Sequence, residues 1–432
     1  MHRKRRPMRL LFISLEFADP IFSGNGVWSR SLVRSLLMGD SAVHIVVLCG
    51  GTVQADWPAG RDADWGGARL EVLTVPLSLW GRLDRACAWE EFAAGVHLLE
   101  NHPFDLVMGL DWHSWPVLRA MKSAGLDPRP FVFLNVRVFS KNGGISDEDA
   151  RFYRDFEREC VLAADSVVAQ TQLDVESLVS ISENFSLPRR PRALHCPLRE
   201  DLRLLAATPP GSWRGEGNRR YVLCVARLSP EKNVEAFLSM VESLSSQLET
   251  LGLVPMLVGA PSVPPDYGEK LISRLMTACP WAKYRAFGPP ESLAQLYRES
   301  VLLFHGALSE PYGMSLVEAA AFGVPSMVHE KDIGATERLR SNFGESFLVN
   351  MGDATSVSRR LAEVLSEPAL LEEVGLKARQ RALEWSEEAF AGSMLNILHE
   401  VWKGEMASLT CGLASSRRFS DSPKSSDCIL VE

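Results

Sequence analysis

The sequence predicts an α/β protein built from two domains, each with its own parallel sheet. Strand-like apolar runs alternate with helix-like patterns in two blocks, residues 8–200 and 221–385. This alternation is typical of βαβ units. Residues 201–220 are rich in Pro and Gly and are predicted to be a linker between the blocks. A chain of 432 residues is long enough to fill two hydrophobic cores.

The predicted elements follow one another in a regular order. Strands of the first block are expected at residues 8–15, 43–48, 71–75, 105–109, 131–136 and 168–171, with helices over 26–38 and from near Asp174. Strands of the second block are expected at 221–225, 254–259, 283–287, 301–305 and 326–328, with helices over 356–366 and 387–402. Because ligands of open α/β sheets bind at the carboxyl ends of the strands, the loops after these strands are the expected site.

Neither end of the chain shows this alternation. Residues 1–7 form a basic leader, and the apolar run that follows is too short for a signal peptide. Residues 406–432 are rich in Ser and are predicted to be a disordered tail. No window approaches the ~20 apolar residues that span a bilayer. We expect a cytoplasmic protein, with the basic leader as a candidate for peripheral membrane contact.

Composition argues against several classes of function. The net charge of −8 and the sequence pI of about 5.7 provide no bulk attraction to nucleic acid. The eight cysteines show neither a Cys-x-x-Cys pair nor a paired His spacing, so we expect reduced core thiols rather than disulfides or a zinc site. No Asp-x-Asp cluster is present to hold a divalent metal, and no metal is predicted.

The most informative segment runs from Ser309 to Ala320. Two carboxylates, Glu310 and Glu318, bracket a turn that opens an apolar helix near Met314. The free N–H groups and positive dipole end of such a helix suit a phosphate. Glu318, one turn inside the helix, can accept hydrogen bonds from a vicinal diol, and Glu310 faces whatever lies beyond the phosphates.

Two cations upstream strengthen that interpretation. Arg227 and Lys232 follow directly after the apolar run 221–225. Arg227 can donate two N–H bonds to phosphate oxygens, and Lys232 adds a mobile point charge. Together they could neutralise a diphosphate, although each alone is more typical of a solvated surface cation.

These residues resemble the donor-binding half of retaining glycosyltransferases of the two-domain GT-B type, family 4. The family pattern of Arg and Lys after a strand, followed by two Glu residues eight positions apart, is matched by Arg227, Lys232, Glu310 and Glu318. The resemblance extends over most of residues 8–405. It implies two Rossmann-like domains that face each other across a cleft, with the last helix, 386–405, crossing back onto the first domain. Two departures are Tyr312 in place of a common Phe, and Gly306-Ala307 in place of Pro-Ser.

The resemblance also implies the roles of the donor-side residues. Glu318 would hold the donor ribose, while Arg227 and Lys232 would bind the diphosphate of a nucleotide sugar. Glu310 and the backbone of the helix tip would contact the transferred sugar; the helix-tip residues are Gly313, Met314 and Ser315. The implied reaction retains the anomeric configuration by front-side attack, with the leaving phosphate as base. The acceptor is expected to be a carbohydrate or a lipid-linked hydroxyl compound.

Two loops of the first block complete the candidate site. Gly24 and Gly26 let the backbone approach a ligand closely, and they resemble the family's glycine-rich segment facing the donor phosphate. A dinucleotide fingerprint is disfavoured there because the third glycine is missing. His113, after the strand at 105–109, resembles the family's histidine that hydrogen-bonds a sugar hydroxyl; the alternative is a structural His among aromatic residues. Asn135, Arg137 and Lys141 are weaker candidates for contacting the acceptor.

Two other functions are compatible with the same pattern. A scaffold that binds nucleotide sugars without turnover would have no physical reason to keep two buried cations. A GT-B-type epimerase or phosphorylase would use the same donor, but no pyridoxal-binding Lys motif is recognisable. A nucleotide-sugar-dependent hexosyltransferase is therefore the predicted activity, and no cofactor beyond the donor is expected.

Overall fold

The computed structural model has two parallel α/β sheets. It describes residues 6–18, 21, 24–51, 69–78, 88–141, 145–182, 187, 189–207, 220–260, 265–339 and 344–410, without the side chains of 265 and 405–410. Most of the basic leader, most of the predicted linker and residues 411–432 of the predicted tail lie outside these ranges. The predicted domain boundaries stay predictions.

A seven-stranded sheet in the order β3-β2-β1-β4-β5-β6-β7 forms the N-terminal domain, and every pair in it is parallel. Its strands are β1 (Met8–Ile13), β2 (Val43–Gly51), β3 (Leu70–Pro76), β4 (Leu106–Leu110), β5 (Phe131–Asn135), β6 (Ser166–Ala169) and β7 (Arg192–Ala193). Its helices are α1 (Gly24–Gly39), α2 (Ala88–Ala94), α3 (Ser114–Ser123), α4 (Asp147–Ala163) and α5 (Gln172–Ile181). Two 3₁₀ turns, Gly95–Leu99 and Phe139–Lys141, complete it. Helix α6 (Glu200–Leu205) follows β7 along the chain and packs on helices of the C-terminal domain.

A six-stranded parallel sheet in the order β10-β9-β8-β11-β12-β13 forms the C-terminal domain. Its strands are β8 (Tyr221–Val225), β9 (Val254–Val258), β10 (Lys283–Arg285), β11 (Ser300–Phe304), β12 (Ser326–His329) and β13 (Phe347–Val349). Its helices are α7 (Val234–Thr250), α8 (Pro265–Ala278), α9 (Pro290–Arg298), α10 (Met314–Ala321), α11 (Ala335–Leu339), α12 (Ala354–Leu365) and α13 (Pro368–Leu383). The 3₁₀ turn Pro230–Lys232 lies just before α7.

The last helix, α14 (Glu387–Thr410), packs on α1 of the N-terminal domain. The rings of Trp28 and Phe390 meet edge to face with centroids 6.1 Å apart. The two helices approach so closely that a Cβ at Gly39 would lie 2.9 Å from Leu395. The helix continues beyond the predicted end at residue 402.

The largest differences from the sequence-based elements have local causes. The strand expected at 168–171 is shifted to β6, because the Thr171 side chain accepts a hydrogen bond from the Asp174 amide and caps α5. Residues 201–205 of the predicted linker are helical, with Arg203 paired to Glu200. The short edge strands β7 and β13 were not predicted, since strands of two or three residues carry almost no periodic signal.

Candidate active site

Both sheets reverse their strand order at a central pair, and the predicted site residues follow those strands. The reversal falls between β1 and β4 in the first sheet and between β8 and β11 in the second. Ligands of open parallel sheets bind at such switch points, outside the carboxyl ends of the strands. Gly24, His113, Lys232 and Glu310 lie after these four strands in turn.

The two domains meet at the N-terminus of α10. Gly313 precedes this helix with φ at +90°, a left-handed conformation that favours glycine. Across the cleft, a Cβ placed on Gly24 would lie 3.7 Å from the Met314 sulfur. The start of α1 and the start of α10 therefore lie side by side, with the positive ends of both helix dipoles at the same place.

Gly26 lies differently from Gly24. A Cβ at Gly26 would lie 2.7 Å from Ile21 and 3.0 Å from a carboxylate oxygen of Glu16. This glycine permits close packing within its own domain. Its predicted contact with the donor phosphate remains a prediction.

A backbone pairing with the segment before α11 fixes the loop that carries Glu310. The Glu310 amide donates to the Asp332 carbonyl at 2.9 Å, and the Gly334 amide donates to the Glu310 carbonyl at 3.0 Å. A Cβ at Gly334 would lie 1.9 Å from the Pro311 carbonyl oxygen, so only glycine fits. The turn ahead of α10 is thus held rigidly.

Lys232 and Glu310, predicted to share the site, are in direct contact. The Lys232 ammonium forms a very short ion pair with Glu310 Oε2, and both side chains are largely buried. Burial alone would raise the pKa of the Glu310 carboxyl, but Lys232 outweighs it and lowers that pKa to about 2. His305 Nε2 lies 3.7 Å from the same oxygen, and burial lowers the pKa of its imidazole to about 4. Glu310 is therefore ionised at neutral pH.

Arg227 adopts a more open arrangement. Its guanidinium contacts Glu231 at 3.2 Å, and about a third of each side chain is exposed (35% and 33%). Arg137 approaches from the N-terminal domain: burial lowers the pKa of its guanidinium, and the charge of Glu310 opposes that shift. Cations from both domains thus face the same end of the cleft.

Glu318 lies in a separate, buried group. Tyr297 donates its hydroxyl to Glu318 Oε2 at 3.0 Å, and Arg199 Nη1 lies 3.8 Å from Oε1. Burial raises the pKa of the Glu318 carboxyl, while Arg199 opposes the shift. A carboxylate offers about four lone-pair sites, so these contacts leave acceptor capacity for a diol.

His113 lies in an aromatic cluster of the N-terminal domain. Its ring packs against Trp112 with centroids 4.1 Å apart and meets Phe139 edge to face. The side chain is buried, and its Nε2 has no hydrogen-bond partner among the residues that the structure describes. Burial lowers the pKa of this imidazole to about 3, so it is neutral at pH 7.

Several functional contacts escaped sequence reasoning. His305, Arg199 and Tyr297 touch predicted site residues from 5 to 119 positions away along the chain. Only His305 carried a signal, since it is a polar residue directly after a buried strand. The two departures from the family pattern have structural partners: Tyr312 donates its hydroxyl to the Cys196 carbonyl at 2.8 Å, and a Cβ at Gly306 would lie 2.4 Å from the Asn233 carbonyl oxygen.

Two further properties concern the described part of the chain alone. Within it, no group of three or more His, Cys, Asp or Glu side chains is arranged to hold a metal ion. None of the helices described there is long and apolar enough to cross a membrane. The five cysteines described are buried and free, as expected of core thiols: Cys49, Cys160, Cys196, Cys224 and Cys279.

Known proteins share this architecture. Residues 211–381 match the family model of glycosyl transferases group 1. The sequences of curated proteins yield no match. Similar solved structures include sucrose-phosphate synthase from Thermosynechococcus elongatus, with a TM-score of 0.73 and 15% identity over 92% of this chain and 100% of that one.

Two other structures are similar over comparable lengths. HepE of Anabaena, in complex with UDP and glucose, has a TM-score of 0.66 and 17% identity over 91% of this chain and 100% of its own. WaaG, a glycosyltransferase involved in lipopolysaccharide biosynthesis, has a TM-score of 0.67 and 18% identity over 90% and 99%. At these identities the structures establish the shared fold.

The two parallel sheets and the similar solved structures define the GT-B fold, in which two Rossmann-like domains face each other across a cleft. The predicted fold class is confirmed. The match to glycosyl transferases group 1 is confined to residues 211–381, which include most of the C-terminal domain.

Proposed function

We propose that this protein is a glycosyltransferase, and that it moves a hexose from a nucleotide-diphosphate sugar to a hydroxyl acceptor with retention of the anomeric configuration. The observation that carries the proposal is the meeting of Gly24 and Met314 at two adjoining helix N-termini. Such a place suits a diphosphate, because backbone N–H groups and dipole ends converge there. Lys232 and Arg227 lie on the loop after β8, on the same side of the cleft.

Binding of the diphosphate would reorganise the ion pairs of the cleft. Lys232 and Arg227 would exchange their contacts with Glu310 and Glu231 for phosphate oxygens. Amides of the helix tip, at Gly313, Met314 and Ser315, would take the remaining charge. These groups can neutralise the leaving group with no metal ion, and no metal is part of the proposal.

The sugar would lie between Glu310 and the N-terminal domain. Glu310, ionised at neutral pH, would accept hydrogen bonds from sugar hydroxyls, and the unpaired Nε2 of His113 would bind another. Glu318 would hold the ribose diol beside Tyr297. The bond from the anomeric carbon to the phosphate oxygen breaks, the acceptor oxygen bonds to the same face, and its proton passes to the departing phosphate.

The acceptor is proposed only as a class, a carbohydrate or lipid-linked hydroxyl compound. Arg137, whose guanidinium pKa the charge of Glu310 influences, is one of the three acceptor candidates. The fold alone does not define an acceptor.

The first experiment is a thermal-shift screen of nucleotide sugars, starting with UDP-glucose because HepE was crystallised with it. A donor stabilises the folded protein in proportion to the logarithm of its concentration over its Kd. A stabilising donor that is hydrolysed slowly and turned over with an added acceptor supports transfer. Binding without any turnover would favour the scaffold, and isomerisation without acceptor would favour an epimerase.

Variants of the two cations test their roles. We expect Arg227→Ala or Lys232→Ala to lower kcat/KM by an amount equivalent to about 2–4 kcal/mol, the scale of losing one oxyanion donor. Steady-state kinetics with the donor found in the screen measure the effect. Undiminished kcat/KM in either variant contradicts the assigned role.

A further inference from the structure

His305 is a buried polar residue to which the proposed reaction assigns no role. It directly follows β11, at the carboxyl edge of the C-terminal sheet and just ahead of Glu310 along the chain. The His305 amide donates to the Met327 carbonyl at 2.9 Å, and the Gly306 carbonyl accepts from the Asn233 side chain at 2.9 Å. The backbone on both sides of the His305 Cα is therefore fixed by neighbouring segments.

The imidazole of His305 is buried with part of its hydrogen-bonding capacity unused. The side chain is only 6% exposed, and its Nε2 has no hydrogen-bond partner in the part of the chain that the structure describes. Nε2 lies 3.7 Å from Glu310 Oε2, which is too far for a hydrogen bond. An approach of about 0.8 Å would bring the two atoms to about 2.9 Å, the usual length of an N–H···O bond. Because buried polar atoms are normally paired, this unpaired nitrogen points to a partner that it meets only in another state of the site.

Lys232 occupies the carboxylate oxygen that His305 approaches. Its ammonium forms the very short ion pair with Glu310 Oε2, the same atom that lies nearest to the imidazole Nε2. The ammonium is the stronger partner, because hydrogen bonds from a charged donor to a carboxylate are stronger than those from a neutral donor. The hydrogen bond from His305 is therefore not formed while the ammonium is in place.

The position of that ammonium also controls how well His305 can serve Glu310. Burial lowers the pKa of the imidazole to about 4; the charge of Glu310 opposes this shift, and the charge of Lys232 adds to it. Movement of the ammonium away from Oε2 would remove an unfavourable charge from beside the imidazole and leave the attractive carboxylate. Of the charges that lower the pKa of Glu310, that of Lys232 is the largest, followed by those of His305 and Arg137.

The proposed function supplies a cause for such a movement, because a diphosphate would draw the Lys232 ammonium away from Glu310. A buried carboxylate that loses its partner is strongly destabilising unless another donor replaces it. We propose that His305 is that replacement: a positioning residue whose Nε2–H donates to Glu310 Oε2 when Lys232 moves to the phosphate oxygens. The carboxylate then keeps its charge and its orientation toward the sugar. This role rests on the proposed function, but the interaction itself can be measured without a donor.

Lys232→Met reproduces the departure of the ammonium in the full-length protein. In that background we compare His305→Leu, which removes the donor, with His305→Gln, whose side-chain amide keeps an N–H group. We expect His305→Leu to lower the midpoint of urea unfolding at pH 7 at least about twice as far as it does with Lys232 present. His305→Gln should recover most of that loss. A role in packing alone would give the same loss in both backgrounds.

Glu310→Gln provides the matched control for these variants. Without the carboxylate, the imidazole has no negative charge to stabilise, whichever residue occupies position 232. The difference between His305→Leu and His305→Gln should then no longer depend on Lys232. A difference that still depends on Lys232 would show that the imidazole acts on another group.

Ligand binding by the single variants tests the same role with the ion pair of Lys232 and Glu310 in place. Without His305, a bound diphosphate would leave Glu310 without its replacement partner. We therefore expect His305→Leu to weaken binding of UDP and of inorganic pyrophosphate about tenfold, the scale of one hydrogen bond to a charged group. Isothermal titration calorimetry measures both ligands, and His305→Gln should bind nearly as tightly as wild type.

Two outcomes would overturn the role of His305. One is an equal effect of His305→Leu with and without Lys232, and the other is unchanged binding of UDP and pyrophosphate by that variant. If Lys232→Met does not fold, binding by the single variants decides. If wild type binds neither ligand, the proposed diphosphate site fails, whereas the unfolding comparison still decides whether His305 can replace Lys232 as the partner of Glu310.

Discussion

The charge of Glu310 depends chiefly on one neighbouring lysine, with smaller effects of His305 and Arg137. The side chains of Lys232 and Glu310 are only 16% and 12% exposed, so water does little to stabilise either charge alone. The pKa of Glu310, about 2, lies well below its usual value of 4.5. A carboxyl whose pKa is lowered by folding stabilises the folded state above pH 4.5, and this contribution is lost as the pH falls toward 2.

Replacing the lysine should therefore carry a pH-dependent cost. The shift of about 2.5 pKa units corresponds to about 3 kcal/mol. We expect Lys232→Ala to lower the free energy of unfolding by about that amount at pH 7 and by less than half of it at pH 3. Urea unfolding at the two pH values measures this. Adding Glu310→Gln should restore part of the loss, and a penalty independent of pH would refute the assignment.

At the scale of elements, one buried carboxylate joins α4 to the 3₁₀ turn at Phe139–Lys141. Glu157 accepts hydrogen bonds from the Phe139 amide and from the Ser140 hydroxyl, each at 2.5 Å. Burial raises the pKa of Glu157 to about 7, against the opposing effect of these donors. Phe139 in turn contacts His113, so the turn supports a candidate site residue.

This raised pKa predicts the pH dependence of a neutral variant. The folded state favours the protonated form of Glu157. The stabilisation that Glu157 gives to the folded state is therefore complete below pH 4.5 and is lost as the pH rises through 7. We expect Glu157→Gln to gain about 3 kcal/mol relative to wild type between pH 4.5 and pH 8. Chemical denaturation of both proteins across this range measures the difference. A constant difference would mean that Glu157 titrates normally.

The pairing between the Glu310 loop and the segment before α11 can be broken at one position. A Cβ at Gly334 would lie 1.9 Å from a backbone oxygen, which cannot move without separating the two segments. We expect Gly334→Ala to destabilise the protein by more than about 2 kcal/mol and to abolish donor binding. Differential scanning calorimetry and donor titration measure the two effects.

Gly392 provides the matched control for that substitution. It lies in α14, and a Cβ there would meet nothing within 4 Å. Gly392→Ala should stabilise the protein by about 0.5–1 kcal/mol, the helix preference for alanine. Equal effects of the two substitutions would show that the close approach at Gly334 is unimportant.

The sequence predicted the helix tip of α10 and the residues around it, because strand, turn and helix follow each other locally there. It did not predict that Lys232 contacts Glu310, since 78 residues separate them and only the fold brings them together. Glu318 was assigned without its neighbours Tyr297 and Arg199 for the same reason. Gly26 matched a motif, but the motif did not reveal that this glycine packs against Glu16 and Ile21 of its own domain.

At the scale of the whole molecule, Glu337 joins the two domains. This C-terminal-domain carboxylate accepts hydrogen bonds from the amides of Gln172 and Leu173 at 2.8 and 3.0 Å, in the first turn of α5. The carboxylate accepts hydrogen bonds from amides that have no partner within the helix, and the positive end of the helix dipole stabilises its negative charge. Two further contacts join the domains. The Tyr312 hydroxyl donates a hydrogen bond to the Cys196 carbonyl, and the backbone at Gly334 approaches Thr171 so closely that a Cβ placed there would lie 2.6 Å from its side chain.

Removing this carboxylate should loosen the arrangement of the domains. We expect Glu337→Ala to broaden the distribution of distances between the domains and to raise KM for the donor several-fold, by losing about 1 kcal/mol of capping. Small-angle X-ray scattering and steady-state kinetics measure the two effects. Glu337→Gln keeps an acceptor oxygen and should lie between the alanine variant and wild type. Scattering curves that coincide for all three proteins would contradict the role.

The packing of α14 on α1 has a consequence for protein engineering. The chain contributes to the N-terminal domain twice, first with the strands β1 to β7 and again with α14, where Glu387 pairs with Arg34 and His399 with Asp40. A hybrid protein that exchanges the C-terminal domain at a single splice point would lose this returning segment or receive a foreign one. Two junctions, one on each side of the exchanged module, would preserve the native contacts of α14.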